Sequence, residues 1–158
     1  MKLARAIHFD ESDRNVFHTA ARTGEWAISG GFEFSDWSDA DLKGKNRQAF
    51  ANGWLGLETF GRVTFVAVTQ IEAAELKALT DRLTQHFVDI YGAPSPEAAH
   101  PVAMRELEHA LDLCEDHAPN TLIAVSRELT EAGVNEQFRT IETEDAGLDQ
   151  FAIHGDME

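Results

Sequence analysis

His109, Cys114 and His117, with Glu108 and Asp116 beside them, come nearest in type and spacing to a zinc site. They lie in a stretch that reads as helix, and helix geometry separates them. At about 100° per residue, His109 and Cys114 point roughly 140° apart. Cys114 also completes a stripe with Met104, Leu107 and Leu111, where a free cysteine behaves as a small hydrophobe. No metal or other cofactor is therefore expected. Nucleophilic catalysis would need Cys114 or a serine beside a base. A thiol buried on a helix is inert, and the chain has no Gly-x-Ser-x-Gly elbow, no Gly-x-Gly-x-x-Gly and no phosphate loop. The remaining acid and base groups are His8 and His18, on segments expected to pair, and the loop acids Asp36, Asp39 and Asp41. A small cofactor-independent enzyme would have to work with these. His86, next to Phe87, reads as a half-exposed residue on a helix flank.

Recognition fits residues 36–47 better than catalysis does. The segment joins those acids to Lys43, Lys45 and Arg47, with Trp37 at one end, a Gly44 hinge, and Trp54 shortly after. Loops that expose aromatic and charged side chains are where binding concentrates. Trp37, Lys43, Lys45, Arg47 and Trp54 are accordingly the expected binding surface. The plainer alternative is a loop paired with itself, its Trp37 covering the core.

The frame that must position these groups is residues 61–92. Residues 63–69 are β-branched and aromatic with apolar side chains on both faces, as in a strand covered on both sides. Leu76, Leu79, Leu83, Phe87 and Ile90 then recur at steps of three and four, one stripe of a helix. Thr69 and Glu72 have capping-box spacing at its start, and Gly92 stands where a left-handed C-cap belongs. Ser95-Pro96 opens a second helix, with a break expected at His100-Pro101.

Upstream, strands are expected at 3–9, 15–20 and 25–34, the first two as a hairpin. Gly30-Gly31 implies a bulge, a bend or a close backbone approach in the third. A short helix ending at Asn52-Gly53 and an apolar connector over 54–61 follow. Residues 121–127 and 134–142 read as a hairpin through Gly133, with a helix over 126–132 as the competing reading. This order gives an α+β single-domain sandwich, an antiparallel or mixed sheet with two long helices packed on one face. The domain covers residues 1–142, and 143–158 form an acidic tail. Phe151 and Ile153 of that tail are expected to dock on this subunit or on a mate, the latter making a homodimer.

The chain of 158 residues suits one domain and is long enough to bury a core without staples. One cysteine excludes an internal disulfide. No apolar run is long enough for a signal peptide or a membrane span, so a reducing, bacterium-like cytoplasm is expected. The net charge is −15. Residues 1–60 hold 7 Lys/Arg against 9 Asp/Glu, and residues 61–158 hold 6 against 19. That balance excludes nucleic acid and an anionic membrane as expected partners. It serves solubility, or attracts a basic partner.

The run Gly24-Glu25-Trp26-Ala27-Ile28-Ser29-Gly30-Gly31-Phe32 resembles a family of short proteobacterial proteins catalogued as a domain of unknown function. The likeness continues through Gly44-Lys45-Asn46-Arg47-Gln48-Ala49-Phe50 and Gly53-Trp54-Leu55-Gly56-Leu57. It returns at Phe60-Gly61, at Leu113-Cys114-Glu115 and at Thr121-Leu122-Ile123-Ala124-Val125, covering most of residues 1–142 without the tail. The resemblance implies a single cytoplasmic domain and brings no activity, cofactor or catalytic residue. The expected function is a non-catalytic protein-binding or accessory module.

Overall fold

The computed structural model describes residues 1–8 and 12–141, with Ser12 and Arg14 described by their backbone alone. In chain order the elements are β1 (Lys2–Ile7), α1 (Ser12–Val16), β2 (Trp26–Ile28), a 3₁₀ turn (Gly31–Phe34), a second (Asp39–Asp41), α2 (Gly44–Asn52), β3 (Trp54–Gly56), β4 (Arg62–Val63), β5 (Phe65–Gln70), α3 (Ala73–Asp89), α4 (Pro96–Glu115), β6 (Leu122–Thr130) and β7 (Gly133–Ile141). The strands form one seven-stranded antiparallel sheet in the order β4-β3-β2-β1-β5-β6-β7. The expected α+β single domain is therefore the fold.

Period-2 alternation sorts the core onto two faces. Leu3, Trp26, Ile28 and Leu55 point to one face, where Leu83 and Phe87 of α3 meet Ala99, Ala103, Leu107 and Ala110 of α4. Ala4, Ala27, Trp54, Val66, Val68, Ile123 and Val125 point to the other, closed at one end by Cys114. β5 lies between β1 and β6, with Ala4 opposite Val68 and Val66 opposite Ile123. Residues 63–69 are thus the strand covered on both sides, interrupted at Thr64. Gly92 has the left-handed φ of 74° expected of the C-cap, and the Ser95 hydroxyl accepts from Ala98 N at the start of α4. The β6–β7 hairpin turns through Gly133, so the helical alternative for 126–132 falls.

Several local expectations are overturned. Residues 15–20 do not pair with β1, both edges of which are filled by β2 and β5. They end α1 and run beside β4, where Arg62 N donates to Thr19 O and Ala21 N to Arg62 O. The third strand stops at Ile28. Gly30 has φ 69°, and a Cβ there would lie 2.5 Å from Leu55 Cβ. The glycine pair thus marks a close approach and a turn out of the sheet. Residues 54–61 contain β3 and the turn into β4 rather than a connector. The cap of α3 is Glu72, with Glu75 as its reciprocal partner, because Thr69 belongs to β5. α4 passes Pro101 unbroken; a proline there removes one backbone donor and leaves the rest of the ladder. Ile90 and Met104 are 67% and 41% exposed. The first follows the end of α3, and the buried stripe of α4 runs through its alanines instead. The expected docking of Phe151 and Ile153 lies outside the described residues.

Candidate functional site

Two arginines lie inside the protein, Arg62 on β4 and Arg127 on β6, 5% and 6% exposed. A buried guanidinium is costly unless its donors are met, and here main-chain carbonyls meet them. Arg62 Nη1 donates to Ser29 O (3.2 Å) and Gly53 O (3.1 Å), and Nη2 donates to Gly30 O (3.1 Å) and Glu33 Oε1 (2.6 Å). Arg127 Nε donates to Glu136 Oε2 (2.7 Å), Nη1 to Phe50 O and Gly53 O (both 2.9 Å), and Nη2 to Ser29 O (2.6 Å). Both guanidinium carbons face the Phe34 ring, 4.6 and 5.0 Å from its centre.

The pair explains why a weak segment is helical. α2 buries only Phe50, and its last carbonyls have no helical donor. Arg127 supplies one, so β6 caps α2. Burial lowers the pKa of both arginines. That of Arg127 falls to about 10, Arg62 pushing the same way and Glu136 opposing, so it remains a cation at neutral pH. The four Nη hydrogens of Arg62 have four acceptors within the protein. These charges hold the 29–34 turn, the α2–β3 junction and the β6–β7 hairpin together, and are engaged in the fold.

Against this centre lies a cavity of about 160 Å³, with Arg62, Glu33, Trp37, Asn46, His18 and Phe60 among its lining. Trp37 stands edge-on to Phe34 at 4.8 Å. Phe60 is held at φ 56°, a conformation that a bulky side chain rarely adopts, and its ring lies flat on His86 at 3.7 Å. His86 in turn meets Tyr91 at 5.6 Å. Burial keeps the His86 pKa below the ordinary histidine value, Glu33 and Asp89 only partly offsetting it, so this imidazole is neutral at neutral pH. Tyr91, 43% exposed, and Ile90 complete the row. Asn46 of α2 lines the same cavity as Trp37, and its sequence neighbours Lys43, Lys45 and Arg47 are exposed, their side chains making no ion pair or hydrogen bond with the described residues.

The expected binding residues thus divide. Trp37 and the α2 region come together, Trp37 sharing the cavity with Asn46 and Ala49. Trp54 does not join them. It is 1% exposed, packed on Phe138 at 5.5 Å, because β3 turns it into the core. Phe60, His86 and Tyr91 were missed. The sequence signal was the aromatic Phe60 before Gly61, but its contact with α3 is long-range.

The acid and base candidates stay scattered. His8 Nε2 is 3.8 Å from Asp13 Oδ2, and Asp13 Oδ1 accepts from Thr64. His18 lines the 160 Å³ cavity instead. Asp41 caps the turn at Ser38, and Asp36 and Asp39 are exposed. Burial pushes the Cys114 thiol up to about 11, Lys2 opposing, and no three His, Cys, Asp or Glu side chains among the described residues converge to hold a metal.

The model of DUF6505, described as a family of unknown function, matches residues 1–158. The chain belongs to this family. The resemblance to a family without assigned activity is borne out, and the DUF6505 match extends through the tail that the resemblance left out. No curated protein and no solved structure matches the chain. No helix among the described residues is long and apolar enough to cross a membrane. DUF6505 membership carries no chemistry of its own, so function must be read from the geometry.

Proposed function

We propose that this chain is a non-catalytic protein-binding module of the cytoplasm. One observation carries the reading. The aromatic row runs from Trp37, Phe60 and His86, all half-buried, to the exposed Tyr91 and Ile90, and Trp37 shares its cavity with Asn46, whose sequence neighbours Lys43, Lys45 and Arg47 are exposed cations with no partner among the described residues. Contiguous exposed apolar and aromatic surface marks interaction sites, and aromatic residues with arginine are enriched in them. The fitting partner is a protein segment with an apolar or aromatic anchor and neighbouring carboxylates, which the cations would orient. The net charge of −15 argues against a phosphate backbone. A single buried cysteine suits a reducing compartment.

The test compares capture by the wild type, by Trp37→Ala/Lys45→Glu, and by Asp112→Ala on an exposed position of α4. The reading expects a protein that the wild type and Asp112→Ala retain, that salt elutes, and that the double variant fails to retain. Equal recovery by all three would remove this face from the account. A second copy of this chain recovered on the same face would identify the partner as itself.

A further inference from the structure

A second concavity, which shares no lining residue with the Trp37 cavity, lies between α4 and β7. Its volume is about 250 Å³, below the ~300–1,000 Å³ of sites for drug-sized ligands, so it suits a compact group. Two carboxyl groups line it from opposite elements, Glu106 of α4 and Glu136 of β7. Glu136 is held in place. Its Oε2 accepts from Arg127 Nε at 2.7 Å and from the buried Ser29 hydroxyl at 2.8 Å, while Oε1 accepts no hydrogen bond from the described residues. Gly31 lies directly beneath it: a Cβ there would stand 2.7 Å from Glu136 Oε2 and push on that carboxylate. Phe32 and Val134 give apolar walls, and His109 stands beside Glu106 on the same helix.

Glu106 is the unanswered group. It is half-buried and makes no hydrogen bond or ion pair with the described residues. We propose that this hollow binds a compact organic cation, an amine or a guanidinium, seated between Glu106 and Glu136 and against the Phe32 ring. The ring face adds a cation–π attraction. The surrounding chain favours a cation too, since residues 61–158 hold 19 Asp/Glu against 6 Lys/Arg. A metal ion is a poorer fit, as no three such ligands converge there. Burial raises the Glu106 pKa, His109 opposing, the Glu136 charge reinforcing and Arg105 opposing. A bound cation favours the carboxylate form of Glu106. Affinity then rises with pH. The cation is either a free small molecule or the Lys or Arg side chain of a protein.

Calorimetric titration of the full chain decides this, with agmatine, putrescine, and the capped tripeptides Ala-Lys-Ala and Ala-Arg-Ala as probes. Saturable binding by at least one probe is expected, stronger at about pH 7.5 than at about pH 5. Glu106→Gln should weaken it by about tenfold or more, and Val134→Trp, which fills the hollow from β7, should abolish it. Preference for the free amines assigns a small molecule, and preference for the tripeptides assigns a protein side chain. Trp37→Ala should leave this binding unchanged, which keeps the outcome separate from that of the Trp37 face. No heat from any probe up to about 10 mM, affinity unchanged in both variants, or affinity that falls as pH rises would overturn the proposal.

Discussion

Replacing Arg127 by methionine should remove a large part of the protein's margin of stability. The side chain is fully enclosed, and methionine keeps its length and its contact with Phe34 while removing every donor. Ser29 O and Gly53 O each retain a bond from Arg62. Phe50 O loses its short contact, and Glu136 loses the partner at 2.7 Å. Breaking a buried ion pair from one side costs about 3–5 kcal/mol, and an orphaned buried carbonyl about 1–3 kcal/mol. Glu136 is 20% exposed, so water recovers part of its loss. A total near 4 kcal/mol is expected, against the ~5–15 kcal/mol that holds a typical domain. Urea unfolding followed by tryptophan fluorescence measures it. Arg127→Met/Glu136→Met should be more stable than Arg127→Met alone, because it removes the stranded carboxylate. A loss within the ~0.5 kcal/mol of surface substitutions, or no recovery in the double variant, would refute the view that this pair organises the fold.

Two further outcomes are expected. Leu83 is 0% exposed where α3, α4 and the sheet meet, so Leu83→Ala should cost about 2–5 kcal/mol by urea unfolding, and a cost under ~0.5 kcal/mol would remove it from the core. Glu25 is held below the ordinary carboxylate value: burial raises its pKa, but hydrogen bonds from Thr59, Arg22 and Glu58 outweigh burial. Its folded pKa is depressed, so its contribution is present above the unfolded value and is lost as pH falls through the folded one. Melting curves from about pH 6 down to about pH 3 should fall more steeply for the wild type than for Glu25→Gln; parallel curves would contradict this.

The parts of the fold legible in the sequence are those whose signals are local. The α3 stripe, the Ser95-Pro96 start of α4, the Gly92 cap and the Gly133 hairpin each rest on neighbours within a turn or two. What was illegible depends on contacts between distant segments. Residues 15–20 have strand-like composition, yet the edges of β1 are taken by β2 and β5. α2 looks weak in isolation because its cap comes from Arg127, 77 residues beyond Phe50. Nothing near Arg62 or Arg127 in the sequence announces the carbonyls of Ser29, Gly30 and Gly53. That Trp37 and α2 lie near one another follows from their place in one short segment, and the shared cavity of Trp37, Asn46 and Ala49 is the contact the structure adds. Trp54 stands in the core, although Gly53 before its three-residue strand and Gly56 at the end of it give the segment the look of a loop.

The central claim, recognition of a protein by the Trp37 face, is tested most directly by photocrosslinking. A benzophenone side chain placed at position 37, with position 112 on α4 as control, would be irradiated in lysate of the source cells. The account predicts a discrete adduct from position 37 alone, weakened by Lys45→Glu and by added salt. Equal adducts from both positions, or an adduct indifferent to Lys45→Glu, would contradict it.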